Sequence, residues 1–182
     1  RRPIDGTCRL EGTIARRMWL ACEPYREGYI TPMAAVAGAV AQELIACYER
    51  DGIERAWVND GGDIAWYLAA QRSLRVGLFA DLSRLDADQI LHGIRSDGQL
   101  DLTYDMPVRG VATSGWRGRS FSRGIADSVT VLARTAAEAD AAATVIANAV
   151  DVSDARIVRK PACELKDDSD LGSIAITADV PA

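Results

Sequence analysis

Residues Ala136–Ala149, with the sequence AAEADAAATVIANA, do most to decide the fold. Alanine is the strongest helix former, and neither glycine nor proline interrupts this run, so we predict a long helix here. Side chains four residues apart on a helix lie on the same face. The carboxylate of Asp140 and the hydroxyl of Thr144 are therefore expected to project side by side.

A second long helix is predicted from Pro32 to about Arg50. Thr31 is a typical N-cap residue, and Pro32 suits the first turn because no N–H donor is needed there. The pair Asp51-Gly52 ends the pattern. Alanine and glycine dominate the first half of this helix, so its backbone can approach another group closely.

Short apolar runs between turn residues predict the strands. The segment 12–24 is predicted to be extended, and 86–94 is predicted to be a short helix. Only the turn residues 60–63 and 71–72 separate the runs 56–59, 64–69 and 74–80, which predicts an antiparallel meander. Further strands are predicted at 100–105, 109–113, 128–133, 157–161 and 174–180.

These elements predict a single α+β domain over residues 1–182, with the two long helices packed on one face of a largely antiparallel sheet. The content of 48% hydrophobic and 26% charged residues suits one ordinary core. The chain begins with Arg1 rather than Met, so we expect residues ahead of it. The possibility of a removed signal peptide stays open.

Composition excludes several classes of protein. The net charge of -5 and the pI near 4.9 argue against a nucleic-acid binder, which needs a positive surface. The longest apolar run, residues 33–40, is far shorter than the roughly 20 residues that span a bilayer. The four cysteines are scattered without a Cys-x-x-Cys pair, which predicts reduced thiols and favours the cytoplasm.

The turn Asp60-Gly61-Gly62-Asp63 lies where one predicted strand ends. It has two interpretations. It is typical of a hairpin turn, in which Asp and Gly supply the unusual dihedral angles. Alternatively, it is a stretch of backbone that a ligand can approach because no side chain intervenes.

A third stretch, residues 110–124, follows a predicted strand and combines hydroxyls, glycines and the arginines Arg117, Arg119 and Arg123. Arginine forks and free backbone amides recognise phosphate or carboxylate groups. The same composition is also ordinary for a solvated hairpin loop.

Asp140 and Thr144 both offer oxygen ligands. Magnesium prefers such ligands and is usually held by one or two carboxylates plus the phosphates of a nucleotide. The alternative is a structural pair, with Asp140 favouring the helix dipole and Thr144 bonded back to its own helix.

Five short motifs follow one another in an order that resembles the ApbE-like superfamily. They are the small-residue helix start at 31–38, Gly-Gly-Asp-Ile at 61–64, Val-Ala-Thr-Ser-Gly at 111–115, Ser-Val-Thr-Val at 128–131 and Ala-Asp-Ala-Ala-Ala-Thr at 139–144. The best-known members are magnesium-dependent flavin transferases, which move FMN from FAD onto a serine or threonine of a target protein. The segments 31–38 and 124–131 are most similar to a separate, shorter branch whose function is not established.

The resemblance implies an α+β domain related to the T-fold, a homodimer, and Mg²⁺ with FAD or FMN as cofactors. It implies that Asp140 and Thr144 are metal ligands, joined by a main-chain carbonyl near Ala35. The residues it implies for the nucleotide cleft are Gly61, Gly62, Asp63, Thr113, Ser114 and Gly115.

The transferases carry a catalytic histidine between the Thr-Ser-Gly and Ser-Val-Thr-Val motifs, and here residues 116–127 occupy that interval without one. The single histidine, His92, is expected to be a surface or packing residue. Asp127 or Asp63 is left as a candidate general base.

Three functions stay open. The first is a magnesium-assisted enzyme in which Arg117, Arg119 and Arg123 hold a phosphorylated substrate. The second is a protein that binds a flavin or another anionic small molecule without chemistry, and the third is a scaffold. We expect a nucleotide or other anionic small molecule as the partner, and neither nucleic acid nor a membrane.

Overall fold

A computed structural model of the protein describes residues 3–79, 91, 96–167, 169 and 171–181. Its helices are α1 (Thr13–Cys22), α2 (Val36–Ile45), α3 (Ala136–Ala149) and α4 (Ala162–Leu165). Its strands are β1 (Arg55–Asp60), β2 (Asp63–Leu68), β3 (Ser73–Leu78), β4 (Gly98–Thr103), β5 (Gly110–Ser114), β6 (Val129–Ala133), β7 (Val158–Pro161) and β8 (Ala175–Asp179).

The main sheet has four antiparallel strands in the order β1-β2-β5-β6. A two-residue loop joins β1 to β2, and Asp60 pairs with Asp63 across it. Both loop glycines have positive φ, 69° at Gly61 and 115° at Gly62, which a residue with a side chain rarely adopts. The Asn59 side chain accepts a hydrogen bond from the Gly62 amide at 2.8 Å. The hairpin interpretation of this turn is therefore confirmed.

Helices α2 and α3 pack side by side on one face of this sheet, with α2 over β1 and β2 and α3 over β5 and β6. Small residues allow this close packing. A Cβ added to Gly38 would come within 2.2 Å of the Ala136 carbonyl oxygen, so any larger residue would force the helices apart. The prediction that two helices pack on one face of an antiparallel sheet is confirmed, although α2 has only 10 residues, and the fold class is α+β.

The opposite face of the sheet is covered by a two-stranded sheet of β3 and β4. The core between them is built from Trp66, Leu68, Val76, Leu102 and Val111. Strands β7 and β8 form a third antiparallel pair. The sheet therefore has a core on each face.

The prediction that residues 12–24 are extended is wrong, because Thr13–Cys22 forms α1. Ile14, Met18 and Cys22 follow one another at four-residue spacing and pack into one core cluster. This period belongs to a helix. The charged residues between them had suggested alternation.

The predicted helix from Pro32 to Arg50 is broken into three pieces. A 3-10 turn (Pro32–Ala35) precedes α2, and a second one (Ala46–Tyr48) follows it. The backbone leaves helical geometry at Ala35, with φ -129° and ψ 19°. Thr31 takes the N-cap position of the first turn without a side-chain bond to it.

The predicted three-stranded meander is also wrong, since β3 leaves the main sheet and pairs with β4. The remaining predicted strands are confirmed as β4 to β8. The predicted short helix at 86–94, with His92, lies outside the described residues except for position 91.

Across the described parts of the chain, no helix combines the length and the apolar character that crossing a membrane requires.

Candidate functional site

A cavity of about 200 Å³, called the carboxylate cavity below, lies where the start of α2, the β1–β2 turn, the end of β5 and the middle of α3 meet. Most residues that sequence reasoning proposed for a site line it. They are Gly61, Asp63, Thr113, Ser114, Gly115, Arg119, Asp140 and Thr144.

Asp140 is held by the start of α2. Its Oδ2 accepts a hydrogen bond from the Gly38 amide at 3.0 Å, and the carboxylate also accepts one from the Ala37 amide. The first amides of a helix lack intrahelical partners and favour negative charge. Asp140 thus caps α2 from a neighbouring helix, which explains why α2 begins only after Ala35. Thr144, one turn further along α3, lines the same cavity.

Asp63 is held by the neighbouring strand. Its Oδ1 accepts a hydrogen bond from the Thr113 amide at 3.2 Å. The hydroxyl of Thr113 in turn lies 2.9 Å from the hydroxyl of Thr130 on β6. These bonds fix the ends of β2, β5 and β6 relative to one another and orient Asp63 toward the cavity rim.

The two carboxyl groups are poorly solvated. The pKa of Asp140 is raised to about 7, mainly by burial and also by the charge on Asp63, while the hydrogen bond from the Gly38 amide opposes both. Burial likewise raises the pKa of Asp63 to about 6, against the opposing bond from Thr113, with a further contribution from the charge on Asp60. Near neutral pH, a cation would relieve the repulsion between these groups.

Arg119 is the cationic residue of the carboxylate cavity. A Cβ added to Gly61 would lie 3.6 Å from its Nη1, so the guanidinium sits beside the diglycine turn. Within the described residues, Arg119 makes no ion pair or side-chain hydrogen bond. Its donors are therefore free for a ligand.

Several predicted site residues lie elsewhere. Asp127 Oδ1 accepts hydrogen bonds from Trp116 Nε1 at 2.9 Å and Arg117 Nε at 3.0 Å, and neither Asp127 nor Arg117 lines the cavity. The guanidinium of Arg123 lies over the Tyr29 ring, 6.0 Å from its centre. Of the three arginines proposed to hold a substrate, Arg119 alone borders this cavity.

Two further predicted residues sit just outside the lining. Ala35 is buried at the N-cap of α2, and Ala37 borders the cavity in its place. Gly62 shapes the turn, and Gly61 is the glycine that faces the cavity. The roles assigned to Ala35, Gly62, Asp127 and Arg117 stay predictions.

Sequence reasoning missed four lining residues, Ala37, Asp60, Gly118 and Ser120. A signal for Asp60 was present, because it is the residue before Gly61 in the diglycine turn. Its charge acts on both Asp63 and Asp140, so the cavity has a third acidic neighbour. Within the described part of the chain, no group of three or more His, Cys, Asp and Glu residues is arranged to hold a metal ion.

Comparison with known proteins places the chain in a family. A family model described as "AbpE bacteria" matches residues 1–182. A UPF0280 protein of Methanopyrus kandleri is 38% identical over 162 residues, which cover 87% of this chain and 59% of the relative. A UPF0280 protein of Methanothermobacter thermautotrophicus is 36% identical over 159 residues, covering 87% and 57%.

A UPF0280 protein of Methanocaldococcus jannaschii is 39% identical over 137 residues, covering 75% of this chain and 50% of the relative. The chain thus spans little more than half the length of the curated relatives it matches. The match over the whole chain shows that this protein belongs to the family described as AbpE bacteria and is similar to UPF0280 proteins.

Proposed function

We propose that the carboxylate cavity binds the phosphate groups of a small molecule together with Mg²⁺, and that a flavin nucleotide, FAD or FMN, is the class of ligand. One observation carries the proposal. The half-buried carboxylate of Asp140, the hydroxyl of Thr144 and the guanidinium of Arg119, which is unpaired among the described residues, line the same small cavity. The resemblance of five sequence motifs to ApbE-like flavin transferases supports the flavin.

The donor set fits magnesium. Asp140 and Thr144 supply hard oxygen ligands, and Mg²⁺ completes its octahedral shell with waters and substrate phosphates rather than with an all-protein cage. Such a site does not need three acidic ligands. When bound, the ion would neutralise charge on the phosphate groups. Asp63 and Asp60 would add negative potential around it without direct coordination.

Residues of the carboxylate cavity other than Asp140 and Thr144 would bind the phosphate groups. Arg119 offers a planar fork of donors that matches phosphate oxygens. The hydroxyls of Ser114 and Ser120 line the same region. A cavity of about 200 Å³ is smaller than the roughly 300–1,000 Å³ of sites that enclose a drug-sized ligand. The phosphate part would therefore occupy the cavity, with the ring system extending beyond it.

A second candidate function is cleavage of the phosphoanhydride of FAD, and one observation favours it. Asp63 lines the cavity and burial raises its pKa to about 6, which suits a general base near neutral pH. In this reaction Asp63 accepts the proton of an attacking hydroxyl or water as its oxygen bonds to phosphorus. The bridging oxygen leaves with the AMP portion.

The binding proposal is tested by isothermal titration of the purified protein with FAD and with FMN, in Mg²⁺ and in EDTA. We expect affinity for both ligands with Mg²⁺ and at least a tenfold loss in EDTA, because phosphate would then meet unneutralised carboxylates. Equal affinity in both solutions would contradict the magnesium role. No heat with either flavin would remove the flavin from the proposal.

Catalysis is tested separately by following AMP and FMN release from FAD. The Asp63→Asn variant should lose turnover while it keeps flavin affinity, since the amide cannot act as the base. If the wild-type protein binds FAD and releases neither product, the role is binding alone.

A further inference from the structure

Helix α3 sets the surface that lies next to the carboxylate cavity. On the Asp140 side the cavity ends at the start of α2, whose Gly38 amide donates to the Asp140 carboxylate. Thr144 lines the cavity one turn later, and Asn148 follows Thr144 by a further turn on the same side of the helix. A ligand whose phosphate part fills the cavity would therefore extend past Thr144 toward Asn148.

The loop after β5 follows α3 in the same direction. Ser120 of this loop still lines the cavity. Further along, Asn148 Oδ1 accepts hydrogen bonds from the Arg123 amide at 2.8 Å and the Ser122 hydroxyl at 3.2 Å. A Cβ added to Gly124 would come within 2.0 Å of a carbonyl oxygen in the last turn of α3. The backbone that carries Arg123 is thus fixed one turn beyond the cavity.

Tyr29 reaches this place from another part of the chain. The guanidinium of Arg123 lies over its ring, 6.0 Å from the ring centre. The next residue, Ile30, is 3% exposed and belongs to the same core cluster as Ala141 and Val145 of α3. Tyr29 itself is 47% exposed. The Tyr29–Arg123 pair therefore has an anchored backbone and side chains that a ligand can reach.

This pair differs from the other pairs of its kind. Three arginines in the described part of the chain lie over aromatic rings, Arg109, Arg117 and Arg123. Arg109 donates to three backbone carbonyls, and Arg117 donates to Asp127. The Arg123 side chain makes no ion pair or hydrogen bond to the described residues, and its ring contact is at the outer limit of about 6 Å. Among the three, its guanidinium is the one available to a ligand.

We propose that the Tyr29–Arg123 pair stacks on the planar ring of the ligand whose phosphate occupies the carboxylate cavity, an inference that rests on the proposed function. Tyrosine rings and arginine guanidinium planes both stack on aromatic ligands. The pair lies near Asn148, about 6 Å along α3 from Thr144, and the sugar chain between a phosphate and its ring bridges such a gap. Stacking recognises a flat face rather than a hydrogen-bond pattern, so the pair selects phosphates that carry a flavin or adenine ring over those without a ring.

Isothermal titration in Mg²⁺ tests the contact with FMN and with ribitol phosphate, which is FMN without its ring. The wild-type chain should bind FMN at least tenfold more tightly than ribitol phosphate. Tyr29→Leu should lose about tenfold in FMN affinity, as for one stacking contact, and keep its affinity for ribitol phosphate. Tyr29→Phe keeps the ring and should keep the FMN affinity. The matched control is Tyr104→Leu, at a tyrosine 41% exposed beneath Arg109, which should change neither affinity.

Titration with ADP distinguishes the two rings. Loss of affinity for ADP and FMN in Tyr29→Leu would mean that the pair accepts any planar ring, and loss for one alone identifies the ring. Arg123→Gln serves as a second variant if Tyr29→Leu does not fold, and it should also weaken FMN alone among FMN and ribitol phosphate.

Two results would overturn the stacking contact while the phosphate site stays in place. They are equal wild-type affinities for FMN and ribitol phosphate, and equal FMN affinities in Tyr29→Leu and Tyr104→Leu. A wild-type chain that binds neither probe would overturn the phosphate site itself, and the stacking contact with it.

Discussion

Two cavities of similar size lie near opposite ends of α2, and their charged residues differ in sign. The carboxylate cavity measures about 200 Å³, and a second one at the start of α3 measures about 240 Å³. Arg17, Arg109 and Arg134 line the second, which we call the arginine cavity. By volume alone, the arginine cavity would be the better site.

The three arginines of the arginine cavity already have partners. Arg17 pairs with Glu43 at 2.9 Å, and Arg134 pairs with Glu138 at 3.1 Å. Arg109 donates to the backbone carbonyls of residues 104, 106 and 108. Two residues of its lining, Gln42 and Trp66, each bury one neutral polar atom, Oε1 and Nε1 respectively, without a hydrogen-bond partner among the described residues.

In the carboxylate cavity, by contrast, Asp63 and Asp140 bond only to backbone amides and Arg119 bonds to nothing among the described residues. Asp63 and Asp140 are half-buried, and a partly buried charge without a counter-charge is costly. Such a charge is typical of a site where a ligand supplies the counter-charge. A charged group without a counter-charge therefore identifies a candidate binding site better than the volume of a cavity does.

The largest effect should come from Asp140→Asn. The amide oxygen can still accept from the Gly38 amide, so the cap on α2 is kept while the charge is lost. We expect a loss of about 100-fold in Mg²⁺ affinity, at the upper end of the roughly 10–100-fold that loss of a group supporting a metal ligand costs. Titration of Mg²⁺ in the presence of FMN measures this.

The control is Glu138→Gln on the same helix, which removes the partner of Arg134 beside the arginine cavity. It should change Mg²⁺ affinity little. Equal losses in both variants would mean that the carboxylate cavity has no special role.

The pH dependence of stability should also separate the two cavities. The folded pKa values of Asp140 and Asp63, about 7 and about 6, lie above the ordinary 3.8. The folded state thus binds more protons than the unfolded state between pH 4 and 7, so the ligand-free protein should lose stability as pH rises through this window. We expect roughly 1–3 kcal/mol in the free energy of unfolding.

Urea unfolding at several pH values measures this loss. Mg²⁺ at pH 8 should restore part of the stability, and Asp140→Asn should flatten the profile. Stability that increases from pH 5 to 8 without Mg²⁺ would contradict the assigned electrostatics.

A moderate effect is expected from Arg119→Gln. This change removes the guanidinium from the carboxylate cavity, and flavin nucleotide affinity should fall about tenfold, as for one charge-assisted hydrogen bond to phosphate. The matched change Arg134→Gln in the arginine cavity should have no such effect. If the two variants lose affinity equally, the effect comes from the overall charge of the protein.

The smallest effect is expected from Thr144→Val. Valine keeps the β-branched shape and removes one neutral oxygen ligand, which water can replace. We expect a loss of Mg²⁺ affinity of only about threefold to tenfold. A loss as large as that of Asp140→Asn would indicate that the hydroxyl, rather than the carboxylate, dominates the site.

The sequence was most informative where local signals agreed with the fold. The alanine run of α3, the diglycine turn and the strands β4 to β8 follow from propensity and period. Because the motifs carry oxygen and arginine side chains, the chemistry of the site was also visible from the sequence.

The remaining features depend on distant partners that one sequence does not display. Helix α2 begins where Asp140, 102 residues away in the chain, caps it. Strand β3 pairs with β4 because Val76 and Leu102 close a core over Trp66. The Asp127 carboxylate accepts hydrogen bonds from Trp116 and Arg117, and the composition of the loop does not predict these contacts.

We propose that Asp140 and Thr144 hold a divalent cation in the carboxylate cavity. Anomalous diffraction from crystals soaked with Mn²⁺ in place of Mg²⁺, together with FMN, tests it most directly. We expect a manganese peak near both an Asp140 carboxylate oxygen and the Thr144 hydroxyl, close to the roughly 2.0–2.1 Å of Mg²⁺–oxygen distances. A peak elsewhere, or FMN bound in this cavity without any metal, would contradict it.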